Sequence, residues 1–128
     1  NYIFNANDAK AHFMRQFSPL CFHGHTHDPK VFVCSPDYQV SEYPDFLENL
    51  YGQGCSELAL MEGYKYFINV GSVGQPRDRD VRACYAVYDT DARTVTFRRV
   101  PYDVEAAQQA ILAVGLPEYL AERLGKGC

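Results

Sequence analysis

Three of the four histidines, His23, His25 and His27, fall within five residues. Imidazole is the commonest side-chain ligand for zinc, iron, nickel and related ions. In an extended segment, side chains two apart share a side, so His25 and His27 can aim at one point, and His23 has the same parity. Gly24 lets the backbone turn sharply between them, and Asp28-Pro29 closes the segment. A histidine-rich surface loop has the same composition and no chemistry, so context must decide between the two.

A second polar stretch runs from Asn69 to Asp78, reading Asn-Val-Gly-Ser-Val-Gly-Gln-Pro-Arg-Asp. Asn69 can hold this loop by side-chain-to-backbone hydrogen bonds. Gly71 and Gly74 admit positive φ or a close backbone approach. Arg77 carries a planar guanidinium suited to phosphate, although an ion pair with Asp78 or Asp80 competes for it. Asp78, Asp80 and Asp89 read as turn residues, and Arg98-Arg99 as a solvated strand end.

These residues need elements to position them. Ala9, Phe13 and Phe17 recur every four residues, which predicts a helix over Asn7 to Phe17 capped by Asn7 and stopped by Ser18-Pro19. His12 lies off that stripe and reads as solvated. Leu20 to His23 is a short apolar run, read as a buried strand that delivers the histidines at its end. Lys30 to Cys34 is a second strand. Ser35 to Ser56 is the least regular stretch, read as a hairpin edge or elaborated loop with a helical turn around Asp45 to Leu50. Glu57 to Leu60 and Tyr64 to Val70 read as a hairpin across Glu62-Gly63, with the second strand feeding the glycine-rich loop. Ala83 to Tyr88 and Thr94 to Val100 read as another hairpin across Asp89-Thr90-Asp91. Asp103 caps a helix from Val104 to Val114 that Gly115 ends, and Pro117 opens a last helix that stops at Gly125. The order is α+β, a mixed sheet with flanking helices, one face of which is expected to meet a layer this chain does not supply.

The chain has 128 residues, 47% of them hydrophobic, enough for one domain with one core. The net charge of −4 gives no nucleic-acid footprint. No apolar run approaches the length of a membrane span. Five cysteines, an odd number without a Cys-x-x-Cys pair, argue against a disulfide framework or zinc ribbon and for a reducing, cytoplasmic setting. Asn1 to Asn5 holds neither an initiator Met nor a basic leader, which reads as a fragment or a processed half.

A strand ending in Gly24-His25-Thr26-His27, followed by a strand ending in Asn69-Val70-Gly71-Ser72, resembles the C-terminal signature of the calcineurin-like metallophosphoesterases. The extension Gly74-Gln75-Pro76-Arg77 is similar to the small bacterial and archaeal subgroup, and the hairpin before Tyr102-Asp103 and a helix also fits. The resemblance covers essentially the whole chain. It implies half of a four-layer α/β/β/α sandwich, residues 1–128 being the C-terminal half. It also implies two divalent metal ions (manganese, iron, zinc or nickel), His25 binding one and His27 the other. Gly24, Asn69, Gly71 and Ser72 would shape the loops around them, and Arg77 would touch substrate. The implied reaction is hydrolysis of a phosphomonoester or phosphodiester, with a nucleotide or other small phosphate ester as substrate. The family usually places an apolar residue where His23 stands, so packing is the expected role there.

The resemblance stops short of a complete site. The family's Asp-x-His, Gly-Asp-x-x-Asp and Gly-Asn-His motifs do not occur here, and the general acid belongs to the last of them. Two imidazoles cannot hold two divalent ions, since such sites take at least three protein ligands per metal. No catalytic residue is therefore assigned within the chain. Two readings stand. One is an enzyme whose other half, or a second copy, completes the site; the other is a non-catalytic scaffold or binding domain of the same fold. A mononuclear site built only from His23, His25 and His27 is a third.

Overall fold

The computed structural model describes residues 2–128. Four helices and seven strands follow in the order α1 (Ala6–Phe13), β1 (Leu20–His23), β2 (Lys30–Cys34), β3 (Val40–Glu42), α2 (Pro44–Gln53), β4 (Cys55–Ala59), β5 (Lys65–Asn69), β6 (Ala83–Asp89), β7 (Thr94–Val100), α3 (Val104–Ala113) and α4 (Glu118–Lys126). The strands form two sheets rather than the single one expected. One has four strands in the order β1-β5-β2-β3, and the other three in the order β4-β7-β6. β1 and β5 run parallel, and the remaining pairs are antiparallel.

The layer that the first sheet's inner face meets is the second sheet of this same chain. Alternation along β5 sends Tyr66 and Ile68 inward and Phe67 outward. Tyr66 and Ile68 join Val31, Leu58, Val95 and Phe97 in the core between the sheets. α2 crosses from one sheet to the other and adds Phe46 and Leu50 to that core, with Phe46 edge-on to Phe97 at 4.4 Å. Each such side chain, fully buried, contributes roughly 1.5–3 kcal/mol. On the outer face, Phe67 and Phe32 meet Ala9 and Phe13 of α1.

The cap of α1 is Asn5 rather than Asn7: its side chain accepts from the Asp8 N–H at 3.0 Å, while the Asp8 carboxylate accepts from the Phe4 N–H at 3.1 Å. The helix ends at Phe13, and Phe17 is 97% exposed. Gln16 goes inward instead, its amide donating to the carbonyls of Ser18 and Tyr66. The expected hairpin between Glu57–Leu60 and Tyr64–Val70 is not one. β4 pairs with β7 and β5 with β1 and β2, so the turn at Gly63 (φ 81°) is a corner between sheets. β6 and β7 do form the expected hairpin, with the Asp89 carboxylate accepting from the N–H groups of Asp91 and Ala92. Asp103 caps α3 through the Ala106 N–H. α4 runs past Gly125 to a left-handed cap at Gly127 and packs on α3. All five cysteines are free. Among the described residues no helix is long and apolar enough to cross a membrane.

Strands β1 and β6 are edges on one side of the sandwich, where Phe22 lies 6.1 Å from Tyr88. A cavity of about 410 Å³ opens there, lined by Leu20, Phe22, Leu60, Met61, Tyr64 and Tyr88.

Candidate metal centre

Because β1 and β5 are parallel neighbours with His23 opposite Asn69, the two motifs leave the sheet at the same edge. The histidine segment is not extended, as the parity argument assumed. β1 stops at His23, and the Thr26 N–H donates to the Gly24 carbonyl at 3.0 Å, closing a three-residue turn around His25 at φ 77°. A γ-turn of this hand is rare and strained. His27 follows at φ 61°. Two non-glycine residues in left-handed backbone cost roughly 1–3 kcal/mol each. Gly24 itself has neither a positive φ nor a neighbour within 4 Å of a Cβ, so the sharp turn belongs to His25.

Asn69 holds that turn. It is 1% exposed, and its amide nitrogen donates to the Thr26 hydroxyl at 2.7 Å and the Gly24 carbonyl at 3.2 Å. Its amide oxygen accepts from the Gly71 N–H at 3.0 Å. One side chain therefore stitches the Gly-His-Thr-His turn to the start of the glycine-rich loop. Gly71 is required twice: its φ is 77°, and a Cβ would lie 3.0 Å from both Cβ and Sγ of Cys84. Gly74 has no such need. The Ser72 hydroxyl accepts from the Gln75 N–H at 2.9 Å and rounds the loop.

The three histidines separate into different environments. His27 is half-buried, and its Nδ1 lies 2.8 Å from the Gln75 carbonyl oxygen. A carbonyl only accepts, so Nδ1 carries the proton and Nε2 keeps a free lone pair. The Arg77 N–H returns a bond to the His27 carbonyl at 3.3 Å. His25 is exposed, with its ring stacked on Tyr2 at 4.3 Å. His23 stacks on Phe67 at 3.8 Å, and its Nε2 is buried without a hydrogen-bond partner. Burial pushes His23 down to about 4, so it is neutral near pH 7. His12, expected in solvent, covers the opposite face of Phe67 at 3.7 Å and meets the Gln16 amide oxygen at 3.0 Å.

Arg77 is exposed and donates to the Gln75 side chain at 2.8 Å, not to Asp78 or Asp80. Those carboxylates serve a buried network that sequence reasoning missed. Arg99, expected at a solvated strand end, has a fully enclosed side chain that pairs with Asp78, lies 3.6 Å from Asp80 and donates to the Arg82 carbonyl at 3.1 Å. Tyr51 donates to Asp78 at 2.9 Å, and the Arg82–Asp80 hydrogen bond holds the Asp80 carboxyl below its ordinary value. The signal was present in β7, where Val95, Phe97 and Arg99 share one parity.

The tautomer of His27 fits a metal ligand. Yet no group of three or more His, Cys, Asp or Glu side chains among the described residues could hold an ion by itself.

No protein-family model matches the chain. An uncharacterized protein of Methanocaldococcus jannaschii is 38% identical to it over 111 residues, 87% of this chain and 40% of that protein. A solved metallophosphoesterase from Sphaerobacter thermophilus superimposes with a TM-score of 0.80 at 40% identity, covering 100% of this chain and 49% of its own. The chain spans less than half the length of either. By fold and by residues together, the chain is similar to about half of a metallophosphoesterase.

Proposed function

We propose that residues 1–128 are the C-terminal half of a metal-dependent phosphoesterase that hydrolyses phosphomonoesters or phosphodiesters. The observation carrying this reading is His27: its Nδ1–H is tied to the Gln75 carbonyl and its Nε2 left open, beside His25, in a chain similar throughout to a metallophosphoesterase. His27 would bind one divalent ion through Nε2 and His25 another, with the remaining ligands outside this chain. Manganese, iron, zinc and nickel all suit imidazole-containing sites. Such ions, when bound, offset charge on a phosphoryl group and acidify a water. Arg77, exposed next to His27, would bind a phosphate oxygen of a small phosphate ester or nucleotide. Gly24 contributes its carbonyl and Asn69, Gly71 and Ser72 the shape of the loops. The five free cysteines support a reducing, cytoplasmic setting. The open strand edges β1 and β6, with the apolar cavity between them, suit the other half of the protein better than a second copy, since the relative's chain is about twice as long.

That no third donor joins the histidines among the described residues favours a second reading, a non-catalytic scaffold of the same fold. Metal analysis of the full-length protein separates the two. The enzyme reading expects close to two bound ions, with a large loss in His25→Ala and in His27→Ala. Unchanged metal content in both variants would remove these histidines from the site.

A further inference from the structure

Burying a guanidinium is expensive, and a buried ion pair is weak grounds for stability by itself. An apolar residue at position 99 would simply continue the inward row of Val95 and Phe97. What Arg99 does that an apolar residue could not is grip a segment that has no strand pairing. Between β5 and β6, residues 75–82 run as loop. Arg99 meets this loop at three points, the carboxylates of Asp78 and Asp80 and the carbonyl of Arg82. Its guanidinium lies over the ring of Tyr51, 5.5 Å from the centroid, and the Tyr51 hydroxyl donates to the same Asp78. The grip starts one residue after Arg77, whose N–H bonds the His27 carbonyl, and three after Gln75, whose carbonyl takes the His27 Nδ1–H. Pro76, between them, is fully buried and stiffens the connection. A second anchor, the Arg79 N–H on the Gly127 carbonyl at 2.7 Å, holds the loop's outer side to the end of α4.

We infer that Arg99 is a positioning residue for His27. By fixing Asp78, Asp80 and the Arg82 carbonyl, it holds the Gln75 carbonyl where it accepts from His27 Nδ1–H, and so determines which nitrogen of His27 is left for a metal ion. The inference deepens the phosphoesterase reading and rests on His27 being a ligand. Lysine cannot replace Arg99, because one ammonium lacks the guanidinium fork that donates to the Arg82 carbonyl while facing both carboxylates.

The test uses the full-length protein, stripped of metal, with two readouts. Imidazole nitrogen chemical shifts give the tautomer of His27, and titration with manganese(II) alone gives its affinity. Wild type is expected to show the Nδ1–H form. Arg99→Lys is expected to show mixed tautomers and manganese affinity lowered about 10–100-fold, the usual effect of losing the partner that orients a ligand. The double variant Arg99→Gln with Asp78→Asn removes the charges together and serves if Arg99→Lys does not fold; the same loss of tautomer bias is expected. A folded variant that keeps the Nδ1–H tautomer and wild-type manganese affinity overturns the inference. If His27→Ala leaves manganese affinity unchanged, the ligand reading itself fails, while the tautomer measurement still decides whether Arg99 orients the ring.

Discussion

Replacing Asn69 with alanine removes a buried side chain that joins the two motifs. Three hydrogen bonds go with it, to the Gly24 carbonyl, the Thr26 hydroxyl and the Gly71 N–H. Each contributes about 1 kcal/mol net, so the loss is about 3 kcal/mol. Asn69 is 1% exposed and Thr26 8%, so water replaces these partners poorly. With a urea slope of about 2 kcal/mol per molar, the unfolding midpoint of the full-length protein should fall by about 1.5 M. Thr26→Val, which removes one of the three bonds, should fall by about a third of that. A midpoint shift under about 0.3 M for Asn69→Ala, at an unchanged slope, would refute the claim that this side chain supports the turn.

Gly71→Ala should cost about 2–4 kcal/mol, combining a left-handed backbone with overpacking against Cys84, whereas Gly74→Ala should stay within about 0.5 kcal/mol of wild type. Equal urea midpoints for the two variants would contradict this. Burial pushes the Cys84 thiol up from 9.0 to about 12, so it stays neutral in the folded protein. Its contribution to stability is whole below pH 9 and is lost as pH rises from 9 towards 12, because the unfolded thiol ionises first. Iodoacetamide at pH 8 should accordingly modify the exposed Cys128 and spare Cys84, and comparable rates at both would count against the burial account.

The elements with local signals were legible in the sequence. β1 and β2 are apolar runs with turn residues at their ends, the β6–β7 hairpin has Asp89 to nucleate its turn, and α3 has Asp103 to cap it. What decided the rest was tertiary. Two short strands flanking Glu62-Gly63 look like a hairpin whether they pair with each other or enter different sheets, and only the partners of β4 and β5 distinguish the cases. α2 was read as a single turn, although Phe46 and Leu50 share a helical face and Gly54 at φ 71° stops it. The two motifs do meet at one end of the sheet, but the backbone between the histidines differs from the extended reading. Parity placed His25 and His27 on an extended chain, but the bonds of Asn69 force a turn there that residue types do not reveal. His12 lies off the Ala9–Phe13 stripe yet is covered, because Phe67 offers it a flat aromatic face.

The central claim is that this chain carries two ligands of a metal site whose remainder lies outside residues 1–128. Hydrolysis of p-nitrophenyl phosphate and its bis ester, with excess manganese, tests it most directly when the full-length protein, its His27→Ala variant and the 128-residue chain are compared. The account predicts metal-dependent turnover by the full-length protein, its loss by orders of magnitude in His27→Ala, and none at an enzyme's rate from the chain alone. The last follows because the sequence has no Gly-Asn-His motif, to which the family's general acid belongs, and such an acid is typically worth a factor of about 10²–10⁴. Metal-dependent turnover by the 128-residue chain, abolished by His27→Ala, or a full-length protein that binds metal and hydrolyses neither ester, would contradict it.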